Sequence, residues 1–140
     1  MKKKYLFIPI VLIVTFITFI VFPVLAGNRS LVTVNSDEII SITITEWQGQ
    51  SATIDEKNEI DAFINYIESL EVLDNSWHFG KPDKWSYRVA MYSSLNNTSK
   101  MMEGFYISSD EKAYKNNFTY EFQDFDYTYL SDLLTKYHNK

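Results

Sequence analysis

Glu38-Ile39-Ile40-Ser41-Ile42-Thr43-Ile44-Thr45-Glu46 is the stretch that decides the fold. Ile40, Ile42 and Ile44 alternate with Ser41, Thr43 and Thr45, the period-two pattern of a strand with one buried and one wet face. Trp47 continues the Ser/Thr side and is expected at a wet edge. Gln48-Gly49-Gln50 reads as a turn and Ser51 to Ile54 as a short returning strand, so the pair predicts a hairpin.

Working outward, Asp55 is placed to cap a helix, with Glu56 and Glu59 in the first turn where the macrodipole favours negative charge. Ile60, Phe63, Ile64, Ile67 and Leu70 then recur at three- and four-residue steps, predicting a helix from Glu56 to about Leu70 that lies on the sheet. Before the deciding stretch, Leu31 to Val34 reads as a short strand and Asn35-Ser36-Asp37 as a turn.

Val72 to Lys84 is rich in turn formers, namely Asp74-Asn75, Gly80 and Pro82-Asp83, and reads as a loop. Its Trp77, His78 and Phe79 must cover the core edge or meet a ligand. Trp85 to Tyr92 predicts a strand with Trp85, Tyr87, Val89 and Met91 on one face and Arg88 on the other. Ser93 to Ser99 reads as a polar loop. Lys100 to Ser108 is the partner strand, with Met101, Phe105 and Ile107 inward. Glu103 falls on the same inward side, and Gly104 marks a bulge expected to turn it outward.

Lys112 to Lys115 and Phe118 to Phe122 form a last hairpin around Asn116-Asn117. Asp126 caps a final helix, Phe125 and Leu130 have the spacing of a hydrophobic staple, and Tyr127, Leu130, Leu133, Leu134 and Tyr137 make its buried stripe. Strands, helix, strands, helix give an α+β domain: a small, mainly antiparallel sheet with two packing helices.

Ahead of that domain stands a different kind of segment. Lys2, Lys3 and Lys4 precede an almost wholly apolar run from Tyr5 to Leu25, long enough to cross a hydrocarbon core of about 30 Å. The basic end is expected to stay in the cytoplasm, placing the rest outside the cell membrane as a single-pass protein. Val24-Leu25-Ala26 behind Pro23 also fits a signal-peptidase site. Residues 1–26 are thus an anchor or a signal segment, the protein being secreted if cleaved after Ala26. Residues 27–30 are a short linker, and residues 31–140 the extracytoplasmic domain.

Composition narrows the chemistry. The part beyond Ala26 keeps ten of the 13 basic residues, the other three being Lys2 to Lys4, and all 18 acidic ones, a net charge of −8 with His neutral. A nucleic-acid partner is excluded for want of a basic face. There is no Cys, hence no thiol nucleophile, no disulfide and no lipid-anchored cysteine. His78 and His138 are the only histidines and lack metal-ligand spacing, so neither a metal nor a cofactor is expected. Phosphate-binding glycine motifs and a nucleophile elbow are absent from the sequence. The carboxylate pairs, such as Asp37/Glu38 and Asp110/Glu111, fall at turns and helix starts, where solvated caps belong.

What remains is surface recognition. Trp47, Trp77, His78, Phe79 and Trp85 are the candidate contact residues, for a protein, a peptide or an envelope glycan.

The basic start, the single membrane segment and the Ile/Tyr-rich outer domain resemble small exported, membrane-anchored Firmicutes domains of unknown function. Ser41-Ile42-Thr43-Ile44-Thr45, Thr53-Ile54-Asp55, Ile60-x-x-Phe63-Ile64-x-x-Ile67, Tyr87-x-Val89 and Leu130-x-x-Leu133-Leu134 carry that resemblance. It implies a Gram-positive envelope setting and brings no catalytic residues. The reading is a non-enzymatic binding or accessory domain tethered to the membrane. The alternatives are an immunity-type protein against a toxin or bacteriocin, and a carboxylate-dependent envelope hydrolase, which would need two carboxylates facing each other across a pocket.

Overall fold

The computed structural model describes Thr15 and residues 30–77 and 82–138. Apart from Thr15, the expected span from Tyr5 to Leu25 and its cleavage point lie outside the described residues, as do His78 and Phe79. Among the described residues no helix is long and apolar enough to cross a membrane.

Seven strands form one sheet: β1 (Ser41–Glu46), β2 (Ser51–Ile54), β3 (Val72–Trp77), β4 (Tyr87–Leu95), β5 (Thr98–Ile107), β6 (Lys112–Lys115) and β7 (Phe118–Phe122). Their spatial order is β2-β1-β4-β5-β6-β7-β3, and every neighbouring pair is antiparallel. Two helices, α1 (Lys57–Ser69) and α2 (Tyr127–His138), complete the α+β architecture.

The alternation in the deciding stretch does what an amphipathic strand should. Ile42 and Ile44 are buried, and Thr43 and Thr45 face away. The phase slips just before the strand, where Ile39 is buried and Ile40 is exposed, because the chain joins the ladder only at Ser41. Inward side chains of six strands, including Val89, Met91, Phe105, Ile107, Tyr120 and Phe122, share a single core with the helix stripes. Those stripes are Ile60, Phe63, Ile64 and Ile67 on α1, and Leu130, Leu133, Leu134 and Tyr137 on α2. Both helices therefore cover one face of the sheet, and the other face keeps the solvated side of an antiparallel sheet.

The helix ends differ from each other. The residue before α1 is Glu56, not Asp55, and its side chain makes no capping bond; its carboxylate instead accepts from Tyr137 Oη at 3.2 Å, joining the two helices. At α2 Asp126 caps as the sequence predicts, Oδ1 accepting from Thr128 N at 2.9 Å and from Thr128 Oγ1 at 2.6 Å. Those bonds hold its carboxyl below the usual range. Asp126→Ala is expected to speed amide exchange in the first turn of α2, read by hydrogen–deuterium exchange at Thr128. Asp126→Asn, which keeps the acceptor, should restore protection.

Three segments depart from expectation. The predicted loop after α1 opens with a strand, β3, whose Val72–Trp77 ladder pairs with β7 at the free edge of the sheet. A register shift between Val72 and Asp74 breaks its alternation, which hid it. The expected polar loop over residues 93–99 is instead continued strand, closed by a two-residue turn at Asn96 (φ 52°) and Asn97 (φ 60°). Two successive left-handed residues suit the twist of a tight hairpin, and Asn tolerates them.

The third is Leu31 to Val34, which joins no strand ladder. It lies as a strap over the helix-side face, with Leu31 and Val32 buried in the core. Glu103 is what holds it. The bulge opposite Met91/Tyr92 is real, but it leaves Glu103 across from Met91, on the inner side, and turns Met101 out to solvent instead. Glu103 is 8% exposed. Its carboxylate accepts from Thr33 N at 3.1 Å, from Thr33 Oγ1 and from Lys115 Nζ. Lys115 also donates to Leu31 O at 2.6 Å. Burial opposes ionisation of Glu103, yet the bonds from Lys115 and Thr33 outweigh it and hold the carboxyl below its ordinary range.

Candidate functional site

The side of the sheet that carries no helix brings two of the candidate tryptophans together. Trp47 leaves β1 on the Thr43/Thr45 side, its backbone fixed by donation from Trp47 N to Ser86 O at 2.9 Å. The turn behind it closes through Gly49, whose φ of +96° favours a residue without Cβ. Trp85 stands just before β4. Extending the β4 alternation backward puts it with Tyr87 and Val89. The ring contacts correct that: Trp85 meets Trp47 at 5.0 Å between centroids, nearly perpendicular, and Tyr106 of β5 at 5.5 Å. Outside the ladder nothing enforces the two-residue period, so the ring crosses to the side of Arg88.

Perpendicular packing of aromatic rings is a favoured arrangement. Here Trp85 props Trp47 in place while leaving it 61% exposed. The same face carries a row of directly opposed residues, Thr45, Arg88, Tyr106, Tyr114 and Thr119 on successive strands. Thr43 pairs with Thr53, and Thr45 with Ser51, through hydroxyl contacts of 3.3 and 3.2 Å. Arg88 is exposed and makes no ion pair among the described residues.

Beyond Tyr106 the face dips. Gly104 lies opposite Ala90, and the missing side chain leaves a hollow of about 210 Å³ bordered by Arg88, Met101, Met102, Tyr106 and Asn116. A Cβ at Gly104 would approach Val89 O to 3.2 Å and Met101 Sδ to 3.9 Å, so a side chain there would have to displace its neighbours.

Trp77 does not join this cluster. It ends β3, opposite Phe118 of β7 and therefore on the helix side of the sheet, 53% exposed. Five strand spacings separate β3 from β1 in the sheet order. The candidate contact residues are thus divided, with Trp47 and Trp85 at one place and Trp77 at another. Tyr106 and the Gly104 hollow were not picked out from sequence. The available signal was parity, since Tyr106 alternates with Phe105 and Ile107 and so had to face away from the core.

A second hollow, of about 460 Å³, lies beside the β4–β5 turn between Asp37, Glu38 and Ile40 on one side and Ser93 to Leu95, Lys100 and Met102 on the other. Its two carboxylates are sequence neighbours on one 3-10 turn (Ser36–Glu38), and the facing hairpin contributes none. That is not the opposed geometry that glycoside hydrolysis requires.

No protein-family model matches the chain, and neither the curated proteins nor the solved structures contain a match to it.

Proposed function

We propose that this chain is an extracytoplasmic, non-enzymatic binding module, held at the membrane by Tyr5 to Leu25 or released after Ala26, like the exported Firmicutes domains it resembles. Its contact surface is the helix-free face around Trp47 and Trp85, and its partner is a component of the envelope. One observation carries the reading: Trp47 is held edge-to-face by Trp85, backed by Tyr106, and still 61% exposed. A large aromatic ring kept out of the core yet fixed in position has already lost the side-chain freedom that binding would otherwise remove. Interface anchors are enriched in such rings.

The test has two parts. Protease added to intact cells should digest the domain carried by the full chain; a domain shielded from that protease would put it in the cytosol and end the reading. Capture of an envelope component from membranes by the tagged full chain should fall about tenfold or more with Trp47→Ala, the loss of a side chain worth more than about 1.4 kcal/mol. Trp77→Ala should leave capture unchanged, because that ring lies elsewhere on the sheet.

A further inference from the structure

We infer that the face running from Trp47 past Arg88 to the Gly104 hollow binds a glycan strand whose sugar rings carry carboxylates. This rests on the binding reading above and specifies the ligand class.

The argument starts from what the face can offer. The strands that carry Arg88, Tyr106 and Gly104 and lead into Trp47 have hydrogen-bonded neighbours on both sides, since β1, β4 and β5 are interior to the sheet; only β2, which adds Ser51 and Thr53, lies at an edge. The backbone N–H and C=O groups of β1, β4 and β5 are therefore already paired. A peptide that binds by strand addition needs unpaired main-chain groups at a sheet edge, and the centre of this face, around Arg88 and Gly104, lies two to three strands in from the β2 edge. What the face presents is side chains: the rings of Trp47, Trp85 and Tyr106, the hydroxyls of Thr43, Thr45, Ser51 and Thr53, and one guanidinium. Sugar rings match that set. Their C–H faces lie on aromatic rings, and their hydroxyls both donate to and accept from Ser and Thr.

Charge then selects among sugars. The domain is acidic overall, yet Arg88 stands at the centre of this face, directly opposite Tyr106 and without an ion-pair partner among the described residues. Glu103 and Lys115 contribute to the floor of the hollow, but their charges are engaged with each other on the helix side. Arg88 is thus the cation that the hollow presents. A guanidinium binds a carboxylate through two parallel N–H···O bonds. Tyr106 and Gly104 are two residues apart on β5, about 7 Å along a strand. The aromatic rings and the hollow therefore contact one continuous ligand on either side of Arg88.

The test uses the full chain in phosphatidylcholine nanodiscs, titrated while tryptophan fluorescence is followed. The probes are polygalacturonate oligomers, the same oligomers as methyl esters, and poly-L-glutamate. The acid form should bind about tenfold or more tightly than the ester, as loss of a charge-assisted hydrogen bond dictates. Arg88→Gln should abolish that difference while leaving ester binding in place, and Trp47→Ala should weaken both forms. Equal binding of acid and ester by the unaltered chain would overturn the inference. So would poly-L-glutamate binding as tightly as the sugar acid, since charge alone would then explain it. If these fail while capture from membranes still depends on Trp47, the ligand class is wrong and the binding module stands. If Trp47→Ala leaves that capture intact, the broader reading falls with it.

Discussion

Lys115→Met should lower the unfolding free energy by about 3–5 kcal/mol, because it leaves a buried carboxylate without its counter-ion. Lys115 and Glu103 have side chains only 5% and 8% exposed, so water cannot replace the lost partner. The same change removes the donor to Leu31 O, one of the bonds that hold the strap to the sheet. A domain of this size has about 5–15 kcal/mol in all, so the midpoint of urea unfolding should fall steeply while the slope stays near that of the parent. Glu103→Leu combined with Lys115→Met should recover most of the loss, since an apolar pair avoids the desolvation that the ions suffer. A single variant within about 1 kcal/mol of the parent would show that the pair is not buried in solution.

The pair also fixes the sign of the acid response. Glu103 has a folded pKa below its unfolded value. Its stabilising contribution is complete above the ordinary Glu value of about 4.3 and is lost as pH falls through the lowered folded value. Glu103→Gln should therefore flatten the fall in stability below about pH 4.3. Asp110 and Asp126 are also held low and keep some acid slope in that variant.

How far the sequence revealed these features depends on the range of the forces behind them. The Ile42/Ile44 alternation, the Ile60-Phe63-Ile64-Ile67 stripe and the Leu130-Leu133-Leu134 stripe are local periodicities, and each became the element it predicted. A bulge beside Glu103 was legible too, but it falls at Met102 and not at Gly104, which pairs in register with Ala90, and its direction was not legible. One extra residue reverses the facing of everything on one side of it, and only pairing with β4 decides which side. Glu103 stayed inward because Lys115 and Thr33 were waiting there, and Thr33 lies 70 residues away in sequence. β3 escaped because an edge strand has one ladder and, with its bulge, no clean period. At the candidate site Trp47 was placed correctly on the wet side, whereas Trp85 was assigned by a parity that holds only inside a ladder.

Phe63→Ala is expected to cost about 3–5 kcal/mol, the usual loss for emptying a buried aromatic site. Phe63 is fully buried on α1 and stacks on Tyr129 of α2, with ring planes 17° apart and centroids at 6.3 Å. Tyr129 in turn meets Tyr66 at 4.5 Å, and Tyr66 Oη accepts from Asp126 N at 2.8 Å, so one chain of rings ties both helices to the start of α2. Removing Phe63 leaves a cavity that neither helix can close without breaking those contacts, whereas Phe63→Leu keeps most of the volume and should lose far less. Because α1 and α2 occupy only the helix side of the sheet, the damage should remain there. Measured well below its lowered melting temperature, Phe63→Ala should bind through Trp47 as the parent does, while Trp47→Ala should melt near the parent and fail to bind. If the two variants instead lose stability and binding in parallel, the two faces of this sheet are not independent, and the ligand surface extends into the core.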